Sequence, residues 1–361
     1  MINNMFLLLL AGVFFLGAQN VKAESILLHN NLAEFVEFDL EAEVFGEEFN
    51  IWDKEITSSQ SVQYVQSLDA ILIASRDGAI RLLDRELNIV VESELPSGFD
   101  SVDDQILLSQ YGGRFLVPSL DKEKNTFSLD FVDTKSMTAL ASIECFVQPR
   151  VSHFINDDSF ICGQIPATKG ISIFNVDDEV ERLNVDFSDI VQRYSFYNWL
   201  NPVLGFDGRV FLIGSRSDHS EQRNMLILDV ENGQELGRWE NIPYGQFFNS
   251  TDGENLLVED YTYEKTEFGF GIRTLTGNWY LVNFTTLEET DRLNIKGANY
   301  IGYSVNRGQY YFLSPTDLYV VNRNEWPKFE RHRLPRSSAL AEDIESGSIA
   351  SQRFNSAVLL K

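Results

Sequence analysis

The sequence predicts an all-β protein: a seven-bladed β-propeller of four-stranded antiparallel blades, closed by N- and C-terminal strands in one blade. Three observations lead to this fold class. A short apolar element recurs seven times, its copies are spaced at a roughly regular interval, and helical periodicity is almost absent. A pair of β-sandwiches is the alternative, but it would lack this regular period.

The repeated element is a short run of apolar residues, interrupted by Glu37 in the first copy, followed by Asp or Asn, which we call the Asx position. The Asx positions are separated by 45, 49, 42, 54, 54 and 39 residues. A short side-chain oxygen at this point can accept a backbone N–H about two residues on and close a turn. We therefore predict that each copy ends one strand and begins a hairpin. The seven positions are Asp39, Asp84, Asp133, Asn175, Asp229, Asn283 and Asn322.

Upstream of most copies lies a second pair of apolar runs joined by a glycine-containing turn. Gly112-Gly113 precedes one such run, and Arg307-Gly308 precedes another. Together with the hairpin at the Asx position, this predicts four strands in each repeat.

The two ends of the chain are complementary. A signal peptide is predicted at residues 1–23, so only residues 24–38 precede the first Asx position. This segment is too short to form a full blade. After the last Asx position the chain continues through Ser348 to Ser351 and Ala357 to Leu360, both strand-like. We expect these C-terminal strands to complete the first blade, so that no apolar edge is left open.

Residues 1–23 differ from the rest and predict a signal peptide. An apolar run from Met5 to Ala18 is followed by Val21-Lys22-Ala23, a small-x-small pattern that a signal peptidase cuts. The run is too short for a stable membrane-spanning helix of about 20 residues. We therefore expect residues 24–361 to form a single exported propeller domain without membrane insertion.

The chain is strongly acidic, with 54 Asp and Glu against 29 Lys and Arg and a formal net charge of -25. Such a surface repels phosphate backbones, which argues against nucleic-acid binding. A negatively charged surface favours a basic partner, although solubility or a salty habitat would also account for the excess of acidic residues.

Cys145 and Cys162 are the two cysteines in the sequence. In an exported protein they predict one disulfide, with two buried free thiols as the alternative. Their spacing does not match a zinc site.

The sequence contains no recognisable set of catalytic, cofactor-binding or metal-binding residues. The four histidines fall in different repeats and in no metal-binding spacing, and convergence in space cannot be seen in a sequence. A Ser-Asp-His run lacks triad geometry, the acidic clusters suit solvated turns better than calcium loops, and a GxG lacks a strand-to-helix unit. These features are His29, His153, His219 and His332; Ser217 to Ser220; Asp103-Asp104, Asn156 to Asp158 and Asp177 to Glu179; and Phe268 to Gly271.

The segment from Cys145 to Gly163 resembles the cysteine-bearing blade of the heavy chain of bacterial methylamine and aromatic amine dehydrogenases. In both, an apolar run ends in Cys, a polar turn follows, and an aromatic-apolar run ends in a second Cys. Leu95-Pro96 and Asn201-Pro202 agree with the family's sequence in outline. The run that begins at Ile227 is of a type found in propeller strands generally. The resemblance covers nearly the whole of residues 24–361 as a fold, but only the cysteine segment is specific to the family.

The resemblance implies a periplasmic heavy subunit without catalytic residues of its own. Its partner would be a small light chain that carries tryptophan tryptophylquinone, oxidises a primary amine and passes electrons to a periplasmic acceptor. Two other functions stay open. One is a non-enzymatic periplasmic or cell-surface propeller for binding or assembly. The other is a propeller hydrolase or lactonase with a metal at the channel mouth.

Overall fold

The described part of the chain consists of β-strands and turns, as predicted, with two helices of three residues at Gln66–Leu68 and Arg323–Glu325. The structure is a computed structural model. It describes residues 24–30, 33–51, 61–75, 79–94, 106–109, 111–121, 126–144, 153–154, 159–163, 170–176, 180–186, 196–199, 203–204, 209–216, 223–229, 234–242, 245–248, 254–265, 271–283, 286–335 and 356–360.

The strands in these segments form seven antiparallel sheets, which we number in chain order. Sheet 1 contains β1 (Ser25–His29), β2 (Glu34–Asp39), β3 (Val44–Phe45) and β4 (Phe49–Asn50). Sheet 2 contains β5 (Ser61–Val65), β6 (Ala70–Ala74), β7 (Ala79–Leu83) and β8 (Ile89–Glu94). Sheet 3 contains β9 (Leu107–Leu108), β10 (Arg114–Asp121), β11 (Thr126–Asp133) and β12 (Thr138–Glu144). Sheet 4 contains β13 (His153–Phe154), β14 (Ser159–Gly163), β15 (Gly170–Asn175) and β16 (Val180–Asp186).

The remaining sheets follow the same order. Sheet 5 contains β17 (Phe196–Trp199), β18 (Val203–Leu204), β19 (Arg209–Arg216), β20 (Arg223–Asp229) and β21 (Glu235–Ile242). Sheet 6 contains β22 (Gly245–Phe248), β23 (Asn255–Lys265), β24 (Gly271–Asn283) and β25 (Leu293–Asn294). Sheet 7 contains β26 (Asn299–Ser304), β27 (Gln309–Leu313), β28 (Asp317–Asn322) and β29 (Glu330–Arg333). The last strand, β30 (Ser356–Leu360), belongs to sheet 1.

Every sheet has four strand positions. In sheet 1, β3 and β4 pair with different parts of β2, and in sheet 5, β17 and β18 pair with different parts of β19. The first strands of sheets 7, 1 and 2 lie against one another, as do those of sheets 3 and 4, since β30 contacts both β26 and β5, and β9 contacts β13. We call the first position of each sheet its inner strand and the last position its outer strand.

The C-terminal strand completes the first sheet, as predicted from the sequence. Strand β30 pairs antiparallel with β1, so that Leu359 lies opposite Ile26 and Ala357 lies opposite Leu28. All five residues of β1 are buried, and a buried strand needs hydrogen-bond partners on both of its edges. Strand β2 satisfies one edge of β1 and β30 satisfies the other.

Apolar clusters lie between neighbouring sheets and set their order. Alternate residues of β1 face opposite sides, so Ile26 and Leu28 pack toward sheet 7 whereas Leu27 packs toward sheet 2. Further clusters join sheets 2 and 3, sheets 3 and 4, and sheets 6 and 7. The clusters therefore link the sheets in the order 6, 7, 1, 2, 3, 4. Central residues of the last three clusters are Leu72, Phe115, Phe131, Phe160, Trp279 and Phe312.

The Asx positions stand at the end of the third strand in all seven sheets, or directly after it in the case of Asp84. In five repeats the side-chain oxygen accepts a backbone N–H from two to four residues further on, at 2.7 to 2.9 Å. This confirms the turn mechanism inferred from the sequence. The five are Asp39, Asp84, Asp133, Asn283 and Asn322.

Gly112 shows why one of the predicted turns needs glycine. Its φ is +78°, and a Cβ at this position would lie 2.9 Å from Cγ1 of Val65 in the neighbouring sheet. Only glycine tolerates both the positive φ and the close contact with Val65, so glycine at this position allows the turn before β10 to bring sheets 2 and 3 close together.

Several predictions lie outside the described residues. These include the signal peptide at residues 1–23 and the strand predicted at Ser348 to Ser351. A membrane-spanning helix is not found in the segments that the structure describes.

Candidate functional site

The inner strands of four sheets surround a common groove of about 410 Å³. They are β26, β30, β5 and β9, from sheets 7, 1, 2 and 3. We call this space the channel groove. Its lining residues are Val62, Gln63, Tyr64, Gln66, Leu108, Ser109, Tyr300 to Tyr303 and Ala357 to Leu359.

The channel groove is lined by uncharged side chains, although the chain as a whole has a charge of -25. Tyrosines, glutamines and a serine supply its polar atoms, and aliphatic residues supply the rest. Tyrosine and amide groups bind flat apolar surfaces while also offering hydrogen bonds, which is typical of protein-binding surfaces and of sites for neutral ligands.

Tyr64 is held in place by a charged pair behind the groove. Its hydroxyl donates to Oδ1 of Asp69 at 2.8 Å and accepts from Nη2 of Arg85 at 3.2 Å. The Arg85 guanidinium also lies over the Tyr64 ring, 5.2 Å from its centre. Burial, followed by the hydrogen bond to Asp69, raises the pKa of Tyr64, so the hydroxyl stays neutral at ordinary pH.

The tyrosines on the opposite wall are fixed by ring packing. Tyr303 lies 4.5 Å from Tyr310 between ring centres, and Tyr300 lies 5.7 Å from Phe312. These contacts belong to the apolar cluster between sheets 6 and 7. The groove wall is therefore preformed, which lowers the entropy lost when something binds.

A second cavity, of about 480 Å³, lies between sheets 1 and 2, and we call it the inter-sheet cavity. Its apolar lining includes Leu27, Phe49 and Ile71, whereas Glu24, Glu37 and Asp39 make it acidic. The single cation in its lining is Arg85, which is paired with Asp69 at 2.6 Å. An apolar cavity with excess carboxylates suits a positively charged group on an apolar stem.

The acidic side chains of this cavity are themselves hydrogen-bonded. The carboxylate of Glu24 accepts from Ser304 and, at 2.8 Å, from Asn306 of sheet 7, while Glu37 accepts from Ser25. Backbone N–H groups of Ala42 and Glu41 hold the pKa of Asp39 below its ordinary value. Glu24 and the inter-sheet cavity therefore belong to the region where the two ends of the chain meet.

Of the four histidines singled out in the sequence, the three that the structure describes stand in three different sheets. His29 is buried at the end of β1, and burial lowers its pKa to about 4, against the opposing effect of a backbone hydrogen bond at Asn30. His153 is on inner strand β13, and His332 is on outer strand β29. His219 lies outside the described residues, as do Ser217 to Ser220 and the three acidic clusters.

The disulfide predicted between Cys145 and Cys162 stays a prediction. Cys162 belongs to β14, opposite Ser172 of β15. Cys145 follows β12 in the sequence and lies outside the described residues.

Sequence reasoning missed both cavities, since the walls of each come from different sheets and bring together residues that are distant in the sequence. One signal was available for the channel groove. The inner strands that line it, Ser61–Val65, Leu107–Leu108, Asn299–Ser304 and Ser356–Leu360, contain no Asp, Glu, Lys or Arg.

Comparison with known proteins shows the fold. A chain of Kuenenia stuttgartiensis hydrazine synthase has a TM-score of 0.51 and 12% identity, over 74% of this chain and 77% of that chain. The dihydro-heme d1 dehydrogenase NirN, in complex with DHE, has a TM-score of 0.54 and 12% identity, over 86% of this chain and 73% of that chain. Both are β-propeller proteins, so the likeness shows a β-propeller fold. No protein-family model matches the sequence, and a search of curated proteins found no match.

Proposed function

We propose that this chain is the propeller subunit of an exported oxidoreductase, of the amine dehydrogenase heavy-chain class. In this proposal the seven sheets are the seven blades of one ring, residues 1–23 direct the chain to the periplasm, and a quinone-bearing light chain binds to the ring. The light chain would oxidise the amine, and this chain would position it.

The observation on which the proposal depends is the channel groove. Its uncharged lining includes three tyrosines, and ring packing and the Asp69–Arg85 pair fix those rings in advance. Rigid aromatic side chains in a preformed groove are the features of a protein-binding surface, because they bury a large area at little cost in entropy.

Two further features support the proposal. The first supports a redox role, and the second supports a positively charged partner. One of the proteins with a similar fold is a dehydrogenase by name. The inter-sheet cavity is lined by the carboxylates of Glu24, Glu37 and Asp39, and negative charge on a protein speeds its association with a basic partner.

A binding propeller without a redox partner is the second candidate. The channel groove favours it as well, since neutral aromatic and amide side chains also bind a peptide segment or an uncharged ligand.

The test is a capture experiment from the native periplasm, followed by an absorption spectrum and an assay of amine-dependent dye reduction. The first variant is Gln66→Arg, which places a charge on an exposed side chain at the channel groove. The control is Gln234→Arg, which adds the same charge at an exposed position directly before β21.

We expect the unaltered chain and Gln234→Arg to retain a small partner with a quinone absorption band and amine-dependent activity. Gln66→Arg should lose most of the partner while its melting temperature stays unchanged. A colourless partner bound at the groove would support the second candidate and overturn the redox role. A partner retained equally by both variants would overturn the assignment of the groove.

A further inference from the structure

A group of metal-ligating side chains lies on the outside of the molecule where sheet 1 meets sheet 7. Glu43 stands in the turn between β2 and β3, and Glu330 and His332 stand on outer strand β29. Their ligand atoms all lie within 4.8 Å of one another. This is an independent feature, since none of the three lines the channel groove or the inter-sheet cavity.

The strand places two of these ligands on one face. Residues two apart in a strand point to the same side, and Glu330 and His332 lie opposite Val320 and Leu318, which pack toward sheet 1. Nε2 of His332 lies 4.0 Å from Oε2 of Glu330.

The third ligand comes from a turn of defined shape. The side chain of Asp39 accepts from the backbone N–H groups of Glu41 and Ala42, at 2.7 and 2.9 Å. Glu43 follows with a φ of +55°, and its side chain is exposed. The turn therefore presents the Glu43 carboxylate to the outer strand of sheet 7.

His332 supplies a second, independent observation. Its Nε2 is buried and makes no hydrogen bond within the described part of the chain, although a buried polar atom normally has a partner. The ring packs against Phe38, at 4.9 Å between ring centres, and its Nε2 lies 4.0 Å from Oε2 of Glu330. A metal ion would satisfy this imidazole nitrogen and the neighbouring carboxylate groups together.

The neighbouring cations are engaged elsewhere. Arg331 and Arg333 alternate with the ligands along β29, and both approach Oδ1 of Asp317, at 2.8 and 3.6 Å. Their charges point away from the face that holds Glu330 and His332, which leaves excess negative charge at that face.

We propose that Glu43, Glu330 and His332 bind one divalent transition-metal ion, of which Zn²⁺ is the probe of choice, and that this ion links sheet 1 to sheet 7. Imidazole is a ligand for zinc and its neighbours in the series, whereas calcium and magnesium take oxygen ligands. Tetrahedral zinc needs ligand atoms about 3.3 Å apart, which the exposed glutamates reach by small rotations. Water would complete the coordination.

The ion would have a structural effect, because its ligands come from the two sheets that meet at the closure of the chain. Binding to the folded state alone stabilises it in proportion to the logarithm of the free metal concentration. The site therefore adds a metal-dependent contact to the strand pairing between β1 and β30.

The experiment uses the chain without a histidine tag, freed of metal with a chelator and titrated with Zn²⁺ by calorimetry and thermal melting. We expect one Zn²⁺ per chain and a higher melting temperature, with no matching effect of Ca²⁺ or Mg²⁺. Glu43→Gln and His332→Phe should weaken binding by about tenfold or more, since loss of even an outer partner of a metal site costs about 10- to 100-fold. The phenylalanine keeps an aromatic ring against Phe38.

The matched control is Glu41→Gln, which removes a carboxylate from the same exposed turn but leaves the three ligands in place. It should bind Zn²⁺ as tightly as the unaltered chain. Equal binding by the control and by Glu43→Gln would show that the ion binds elsewhere and overturn the proposal. Absence of stoichiometric Zn²⁺ binding, or equal stabilisation by Ca²⁺, would overturn it too.

Discussion

The carboxyl group of Glu259 makes the stability of the fold depend on pH. It is 5% exposed on β23, opposite Trp279 of β24, and burial raises its pKa from 4.5 to about 7. Between these two values the folded state keeps a proton that the unfolded state has released, so the stability should fall as pH rises from about 4.5 to about 7.

Replacing this side chain tests the effect. Glu259→Gln should remove this loss, so that the variant gains in melting temperature relative to the unaltered chain as pH rises through that range, and the gain stops above it. Melting curves at a series of pH values measure this gain. Glu288→Gln, at an exposed position between β24 and β25, is the control and should follow the unaltered chain. A parallel pH profile for Glu259→Gln would contradict the assignment.

At the scale of single elements, the Asx turn is the unit that the chain repeats. In the turn after β11, Oδ1 of Asp133 accepts from the backbone N–H and the hydroxyl of Ser136, both at 2.7 Å. The hydroxyl bond first, and then the backbone bond, hold the pKa of Asp133 below its ordinary value. The turn therefore favours the ionised carboxylate.

Substitutions at Asp133 separate the hydrogen bond from the charge. Asp133→Ala should lower the free energy of unfolding by about 0.5–1.5 kcal/mol, the net value of a typical hydrogen bond. Asp133→Asn should cost less, because its side chain keeps an acceptor oxygen and Asn occupies the same position in three other repeats. Urea unfolding at neutral pH measures both. Equal losses for the two variants would show that the charge, rather than the acceptor, stabilises the turn.

The predicted disulfide also acts at the element scale, since Cys145 follows a strand of sheet 3 and Cys162 lies in sheet 4. Closing a loop of 16 intervening residues is worth about 3 kcal/mol in the chain-entropy model. Cys145→Ser should therefore lower the melting temperature under oxidising conditions. An unaltered chain whose melting temperature is the same with and without a reductant would show that no bond forms.

For the whole molecule, the central question is how the last strand of the chain holds sheets 7 and 1 together. Leu359 of β30 is 8% exposed, packs in the cluster between sheets 1 and 7, and approaches Gly302 of inner strand β26. It thus joins the last strand of the chain to the sheets on either side of the closure.

Truncating this side chain tests the closure. Leu359→Ala should lower the free energy of unfolding by about 2–5 kcal/mol, the usual cost of a leucine-sized cavity in a core. Val305→Ala, at a position 63% exposed in the turn after β26, should change it little. Urea unfolding compares the two. Similar small losses for both variants would show that closure contributes little to stability.

The β-class, the strand order within each repeat and the pairing of the two chain ends could be predicted from the sequence. The reason is that these features depend on local physics. A short acceptor side chain closes its own turn, as Asn322 does with the N–H of Asn324, and alternate apolar residues bury the two faces of a strand.

The tertiary structure alone decided which distant residues meet. Tyr64 and Tyr300 line one groove, and Glu43 faces His332, because the last strand pairs with the first and brings sheet 7 against sheet 1. No local pattern encodes such pairs, since each partner sits in an ordinary strand or turn of its own repeat. The sequence by itself therefore determined the repeating unit, and the closure of the chain determined where its candidate sites lie.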